Sequence, residues 1–153
     1  MKEVLAILTA LCLLCAACTA AADMEIPKWE SMPLVVVQED DTKVEESSFE
    51  GEWVLRVAFA GTEYVDEQTL AGTYDFNFMP ITISGGKLSQ DVQKDSEEFV
   101  TEEKPYVFEA GQLQGEDFVV ELLEDGNIVL SRFFPGEGDV PVCLSVFMVH
   151  PAE

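Results

Sequence analysis

The chain has 153 residues, with 30 acidic side chains against 8 basic ones and a formal net charge of −22. That balance excludes nucleic-acid binding, which needs a basic surface to neutralise phosphates, and electrostatic docking on an anionic bilayer. The length suits one domain with its own core, and the apolar and aromatic content argues against global disorder.

The chain opens MKEVLAILTALCLLCAAC. One cation, Lys2, precedes an apolar run from Val4 to Ala17, and small residues follow, the layout of a secretory signal peptide. The residues Cys15-Ala16-Ala17-Cys18 resemble a bacterial lipobox, with cysteine where that pattern usually has leucine. The resemblance implies a diacylglyceryl group on Cys18, cleavage of residues 1–17, and anchoring to the outer face of the bacterial cell membrane. Three alternatives stay open: plain secretion with cleavage after Ala20 or Ala22; an uncleaved anchor over Val4 to Ala22, since a span takes about 20 apolar residues; and, least favoured on an apolar segment with no histidine nearby, a zinc or disulfide cluster of the cysteines. A diacylglyceryl group supplies two chains, the usual requirement for stable attachment. Cleavage removes one lysine and one glutamate, so the net charge is unchanged. It also leaves Cys143 as the lone thiol of the body, in the strand-like run PVCLSVFMV, where it reads as a small buried hydrophobe.

Residues 18–48 read as an acidic tether with one short strand, LVVVQ at 34–38; Trp29 either folds back on the body or lies near the membrane interface. Residues 49–153 form the body. In EGEWVLRVAFAG, Trp53, Leu55, Val57 and Phe59 alternate with Val54, Arg56, Ala58 and Ala60, a period of two that predicts a strand. TYDFNFMPITIS puts Tyr74, Phe76 and Phe78 against Asp75 and Asn77. ITISGGKLSQ is a predicted hairpin through Ser84-Gly85-Gly86-Lys87. KPYVFEAGQLQ and EDFVVELL follow around a Gly111 to Gly115 turn region. FVVELLEDGNIVLSRFF is the clearest hairpin, turning at Asp125-Gly126-Asn127, and VCLSVFMVH is the last strand. Helical signals are weak: DEQTLAG near Asp66 predicts one turn and DVQKDSEEFV another. The fold class is therefore all-β, an antiparallel meander barrel of about eight strands, with a two-sheet sandwich as the alternative.

The residues Phe49-Glu50-Gly51-Glu52-Trp53 resemble the Gly-x-Trp signature of lipocalins and their calycin relatives. The resemblance implies that Trp53 starts the first barrel strand and plugs the closed end. It also implies a late arginine stacked over that tryptophan; Arg132 is the one late arginine, on the penultimate inferred strand. A lipocalin-like barrel would hold a small apolar ligand against Trp53, Leu55, Val57, Phe59, Tyr74, Phe76 and Phe78. The competing reading of those residues is a filled core, because small barrels are often packed solid.

Nucleophile elbows, phosphate-binding glycine loops and His-Glu-x-x-His strings are absent from the sequence. With His150 the single histidine, a histidine-based triad or multi-histidine metal site cannot form within one chain. The acidic doublets Glu45-Glu46, Asp66-Glu67, Glu97-Glu98, Glu102-Glu103, Glu116-Asp117 and Glu124-Asp125 read as solvated loop charge. The expectation is a non-catalytic protein with no cofactor and no resident metal. Its partners would be the membrane, through lipidated Cys18, and a small apolar ligand. The alternative is an envelope interaction module with a filled core and an acidic outer surface.

Overall fold

The computed structural model describes residues 26–33, 44–94, 98–135 and 140–151. The residues read as a signal peptide, Cys18 and the LVVVQ stretch lie outside the described residues. The body is all-β and antiparallel. Its strands are β1 (Gly51–Ala60), β2 (Glu63–Tyr64), β3 (Ile81–Ser84), β4 (Lys87–Lys94), β5 (Glu98–Pro105), β6 (Val107–Glu109), β7 (Gln112–Gln114), β8 (Phe118–Leu122), β9 (Ile128–Phe134) and β10 (Val142–Val149). One short helix, α1 (Glu67–Thr73), stands between β2 and β3.

The strand order is β5-β4-β3-β1-β10-β9-β8-β7-β6, with β2 paired to β1. β1 belongs to both halves of this path. Its first three residues pair with β3 (Trp53 opposite Ile81), and from Val54 onward it pairs with β10. A second corner lies at Tyr106, where β6 continues the run of β5. The stretch before Tyr106 pairs with β4 and the stretch after it with β7. Two strands that bend and change partners fold the path into a nearly closed barrel, as corner strands do where two sheets cross.

The bend in β1 is a β-bulge. Leu55 faces Met148 and Val57 faces Phe147, so Arg56 is the extra residue, and it is exposed. Because strand faces alternate with period two, one inserted residue exchanges the faces beyond it. Trp53, Leu55, Ala58 and Ala60 therefore pack in the main core. Val57 and Phe59, expected on the same face as Trp53, belong instead to a second cluster with Met32, Leu123, Val129 and Phe147.

Two further expectations are corrected. Tyr74, Phe76 and Phe78 do not lie on a strand: α1 ends at Thr73 and an irregular stretch runs on to Ile81. The helix is longer than one turn because Asp66 caps it, its Oδ1 accepting from the Thr69 N–H at 2.8 Å, while Leu70 is fully buried beneath it. DVQKDSEEFV, expected to form a helical turn, supplies the end of β4 and the start of β5. That hairpin reaches past the core, with Phe99 and Val100 exposed, so neither face carries the apolar alternation that marks a strand.

Part of the segment read as tether packs on the body. A 3-10 turn at Trp29–Ser31 sets the Trp29 ring edge-on to Phe59 at 5.3 Å and to Phe147 at 5.9 Å. Met32 is buried beside them. A second 3-10 turn, Glu46–Phe49, delivers Phe49 fully buried into the barrel end. The residues 26–33 thus cover an apolar patch that the bulge turns outward. Trp29→Ala should lower the unfolding free energy by about 2 kcal/mol, the scale of a partly buried aromatic with two ring contacts. Lys28→Ala, one residue away on an exposed position, should change it by a few tenths at most; chemical denaturation of both variants checks this.

Candidate functional site

The barrel interior divides into a filled end and an open end. At the filled end Trp53, Phe49, Ile83, Leu113, Ile128 and Met148 are fully buried in one cluster. Trp53 donates its indole N–H to the Phe49 carbonyl at 2.9 Å, which ties the start of β1 to the preceding turn. The His150 ring stacks on the indole with centroids 3.7 Å apart and planes 27° apart. Its Nδ1 lies 3.0 Å from the Glu52 carbonyl oxygen.

Gly51 is needed here twice over. Its φ is +130°, and a Cβ at that position would meet His150 Cε1 at 3.2 Å. Gly51, Trp53 and His150 therefore form one unit that closes this end. The side chain stacked over the tryptophan is a histidine at the end of β10, and Arg132 lies elsewhere.

The open end holds a cavity of about 530 Å³. That is within the range of roughly 300–1,000 Å³ typical of small-molecule sites. Its apolar walls come from Phe76 and Phe78 in the stretch after α1, Ile81 (β3), Leu88 and Val92 (β4), Phe118 (β8) and Leu130 (β9). Its polar groups are Asp75, Asn77, Gln90, Glu102, Lys104 and Arg132. The cavity is amphipathic rather than purely apolar.

Of the residues expected to face a ligand, Phe76 and Phe78 line this cavity, Phe76 buried and Phe78 at 37% exposure on its rim. Tyr74 lies next to them, half-buried, its ring edge-on to Phe134 at 5.2 Å. Trp53 and Leu55 pack in the main core and are not among the residues that line the cavity, and Val57 and Phe59 face the outer cluster.

Hydrogen bonds fasten the 74–80 stretch over the mouth. Gln90 Nε2 donates to the carbonyls of Asn77 (3.1 Å) and Met79 (2.7 Å), and Asn77 Nδ2 donates to the Asp91 carbonyl. Asn77 Oδ1 accepts the Met79 N–H at 3.0 Å. Phe118 reaches its place because residue 115 is glycine: a Cβ there would fall 2.1 Å from the Phe118 ring. The Gly115 N–H donates to the Phe118 carbonyl at 2.9 Å, closing that turn.

Cations were not expected at the site, and two line it. Lys104 on β5 and Arg132 on β9 both bond to Asp117 Oδ2, at 2.7 and 3.0 Å, across the gap between the two halves of the barrel. The Arg132 guanidinium also lies 5.1 Å from the centroid of the Phe134 ring. The alternation Ile128-Leu130-Arg132-Phe134 along β9 carries the signal, since it places Arg132 in the inward row. Partial burial works against the Asp117 charge, but the Lys104 hydrogen bond and the two cations outweigh it and hold the carboxyl below its ordinary value.

Among the described residues no helix is long and apolar enough to cross a membrane. No family model, curated protein or solved structure matches the chain.

The Asp117 pair predicts an acid dependence. Its folded pKa lies below the unfolded value near 3.9, so the stabilisation is complete above that value and lost as pH falls through the folded one. The unfolding free energy of wild type minus that of Asp117→Asn should be flat from about pH 7 to pH 5 and shrink below about pH 4. The plateau should be on the order of 1 kcal/mol, because the carboxylate is partly exposed and screened. Urea titrations of both proteins at several pH values measure it.

Proposed function

We propose that this chain is an exported, membrane-anchored, non-catalytic binding protein whose lipocalin-like barrel receives one small ligand with a largely apolar body. The observation that carries the reading is the 530 Å³ cavity at the open end, walled by Phe76, Ile81, Leu88, Phe118 and Leu130. A few polar side chains, two amides, two carboxylates and two cations, stand among these apolar walls, the make-up usual for small-molecule sites. The Gly51-Trp53 pair opening β1, and the packing of Trp53 at the opposite end, support the likeness to lipocalins. That cavity favours a ligand-holding barrel over an envelope module with a solid core.

Anchoring rests on the Cys15-Ala16-Ala17-Cys18 string. With 26–33 packed on the barrel, the linker after Cys18 is short: seven residues separate it from Ile26. At about 3.5 Å per extended residue the body stays within roughly 30 Å of the bilayer. In this arrangement the protein works next to the membrane surface, held by lipid against its own charge.

Two outcomes are expected. The uncharged fluorophore 1-aminoanthracene should bind the full chain with a blue-shifted, saturable emission, and Val92→Trp, which fills the cavity from a half-buried position, should weaken it at least about tenfold while the circular dichroism is kept. Saturable binding unchanged in Val92→Trp would sink the cavity reading. In a bacterial host, wild type should partition into the detergent phase of Triton X-114 and Cys18→Ser into the aqueous phase; detergent partitioning of both would rule out thiol lipidation as the anchor.

A further inference from the structure

We propose that the rim of the open end is a docking surface for a basic amphipathic segment of a partner protein, an apolar stripe flanked by lysines or arginines. This goes beyond the small-ligand reading and does not depend on it, because the surface is the rim and not the interior.

The distribution of exposed apolar side chains carries the inference. Among the described residues, every exposed large apolar side chain except Ile26 and Val107 falls at the open end. The strand registers place them there. β9 runs from Ile128 at the filled end to Phe134 at the open one, which puts Phe133 at the rim. Val140 lies two residues before Val142, which faces Phe134. Tyr64 faces Phe59, one residue from the end of β1. Phe78 and Met79 belong to the stretch fastened over the mouth. Phe99 and Val100 face Gln93 and Val92 in the hairpin that reaches past the core. Surface hydrophobics scattered singly are ordinary, whereas a set gathered round one opening marks an interaction site.

Charge decides the occupant. Glu63, Glu67, Asp75 and Glu116 are exposed at the same end. Of the cations there, Lys104 and Arg132 both bond to Asp117, and Lys94 stands opposite Glu98 in the strand register. A second copy of this chain, at net charge −22, would bring like charge to like, and so would an anionic bilayer. A neutral bilayer offers the apolar residues a partner but brings no net charge to answer the acids. A basic amphipathic segment answers both, with its stripe on the rim aromatics and its cations on the acids around them.

The test is fluorescence anisotropy of labelled helical peptides of about 18 residues, titrated with the full chain. A leucine–lysine peptide with one apolar face should bind saturably, at least about tenfold more tightly than a serine–lysine peptide of the same charge. A leucine–glutamate peptide should not bind. Phe99→Ser combined with Phe133→Ser, at positions 53% and 63% exposed where the fold tolerates change, should weaken the leucine–lysine peptide about tenfold. Val107→Ser, an exposed apolar position away from this end, should change it less than about twofold. Equal binding of the two lysine peptides by wild type would reduce the attraction to net charge and overturn the proposal without any variant. Unchanged binding in the double variant, with its circular dichroism kept, would place the contact elsewhere and overturn it too. Neutral phosphatidylcholine vesicles that bind wild type but not the double variant, with no peptide bound, would make the rim a lipid-facing surface instead. A dimer that the double variant loses, again with no peptide bound, would assign it to a second copy.

Discussion

The architecture depends on how β1 turns its corner. Its opening residues pair with β3 and its remainder with β10, and the extra residue Arg56 lets the strand bend between the two. Without that bulge, Val57 and Phe59 would point inward with Trp53 and Leu55. Four large side chains would then crowd the interior beside Met148 and Val146. With it, the small residues Ala58 and Ala60 take the inward positions toward the open end, and Val57 and Phe59 turn out. Space inside and an apolar patch outside are two results of one inserted residue. The patch is then covered by Trp29 and Met32, which makes residues 26–33 part of the folded body.

The second corner, at Tyr106, completes the arrangement. β5 leaves β4 and continues as β6 against β7, so the barrel closes through the chain rather than through a full ladder between its edges. The gap this leaves is spanned by Lys104 and Arg132 converging on Asp117. Surface ion pairs contribute little to stability, with a median of about 0–1 kcal/mol. Their position matters more than their strength: they put the molecule's scarce positive charge on the wall of its cavity.

Much of the fold is legible in the sequence where local chemistry and burial agree. The Ser84–Lys87 turn, the Asp125-Gly126-Asn127 turn and the apolar run of the last strand, β10, all fall where the pattern puts them. Among the described residues there are ten strands against the expected eight, because β2 has only two residues, too short to show a period, and the chain through Tyr106 is divided into separate short strands. The bulge leaves no mark in composition, and a period-two reading carried through Arg56 assigns Val57 and Phe59 to the wrong side. The aromatic run Tyr74-Asp75-Phe76-Asn77-Phe78 imitates a strand by alternation, although its residues hang over the mouth on hydrogen bonds from Gln90 and Asn77. Of the cavity wall, Phe76 and Phe78 were legible by type. Arg132 is legible only through the β9 alternation, against its charge, and Lys104 not at all, because β5 has no apolar alternation to mark its inward face.

The central claim is that the open half of the barrel, and not the outer patch, is where a ligand sits. Methyl-labelled NMR of the full chain, titrated with 1-aminoanthracene, tests it most directly, since the two clusters carry distinct methyl groups. The account predicts saturable shifts at Ile81, Leu88, Val92 and Leu130, with Val57, Val129 and Leu123 unmoved. Shifts confined to Val57, Val129 and Leu123, or none at any of these methyls, would contradict it.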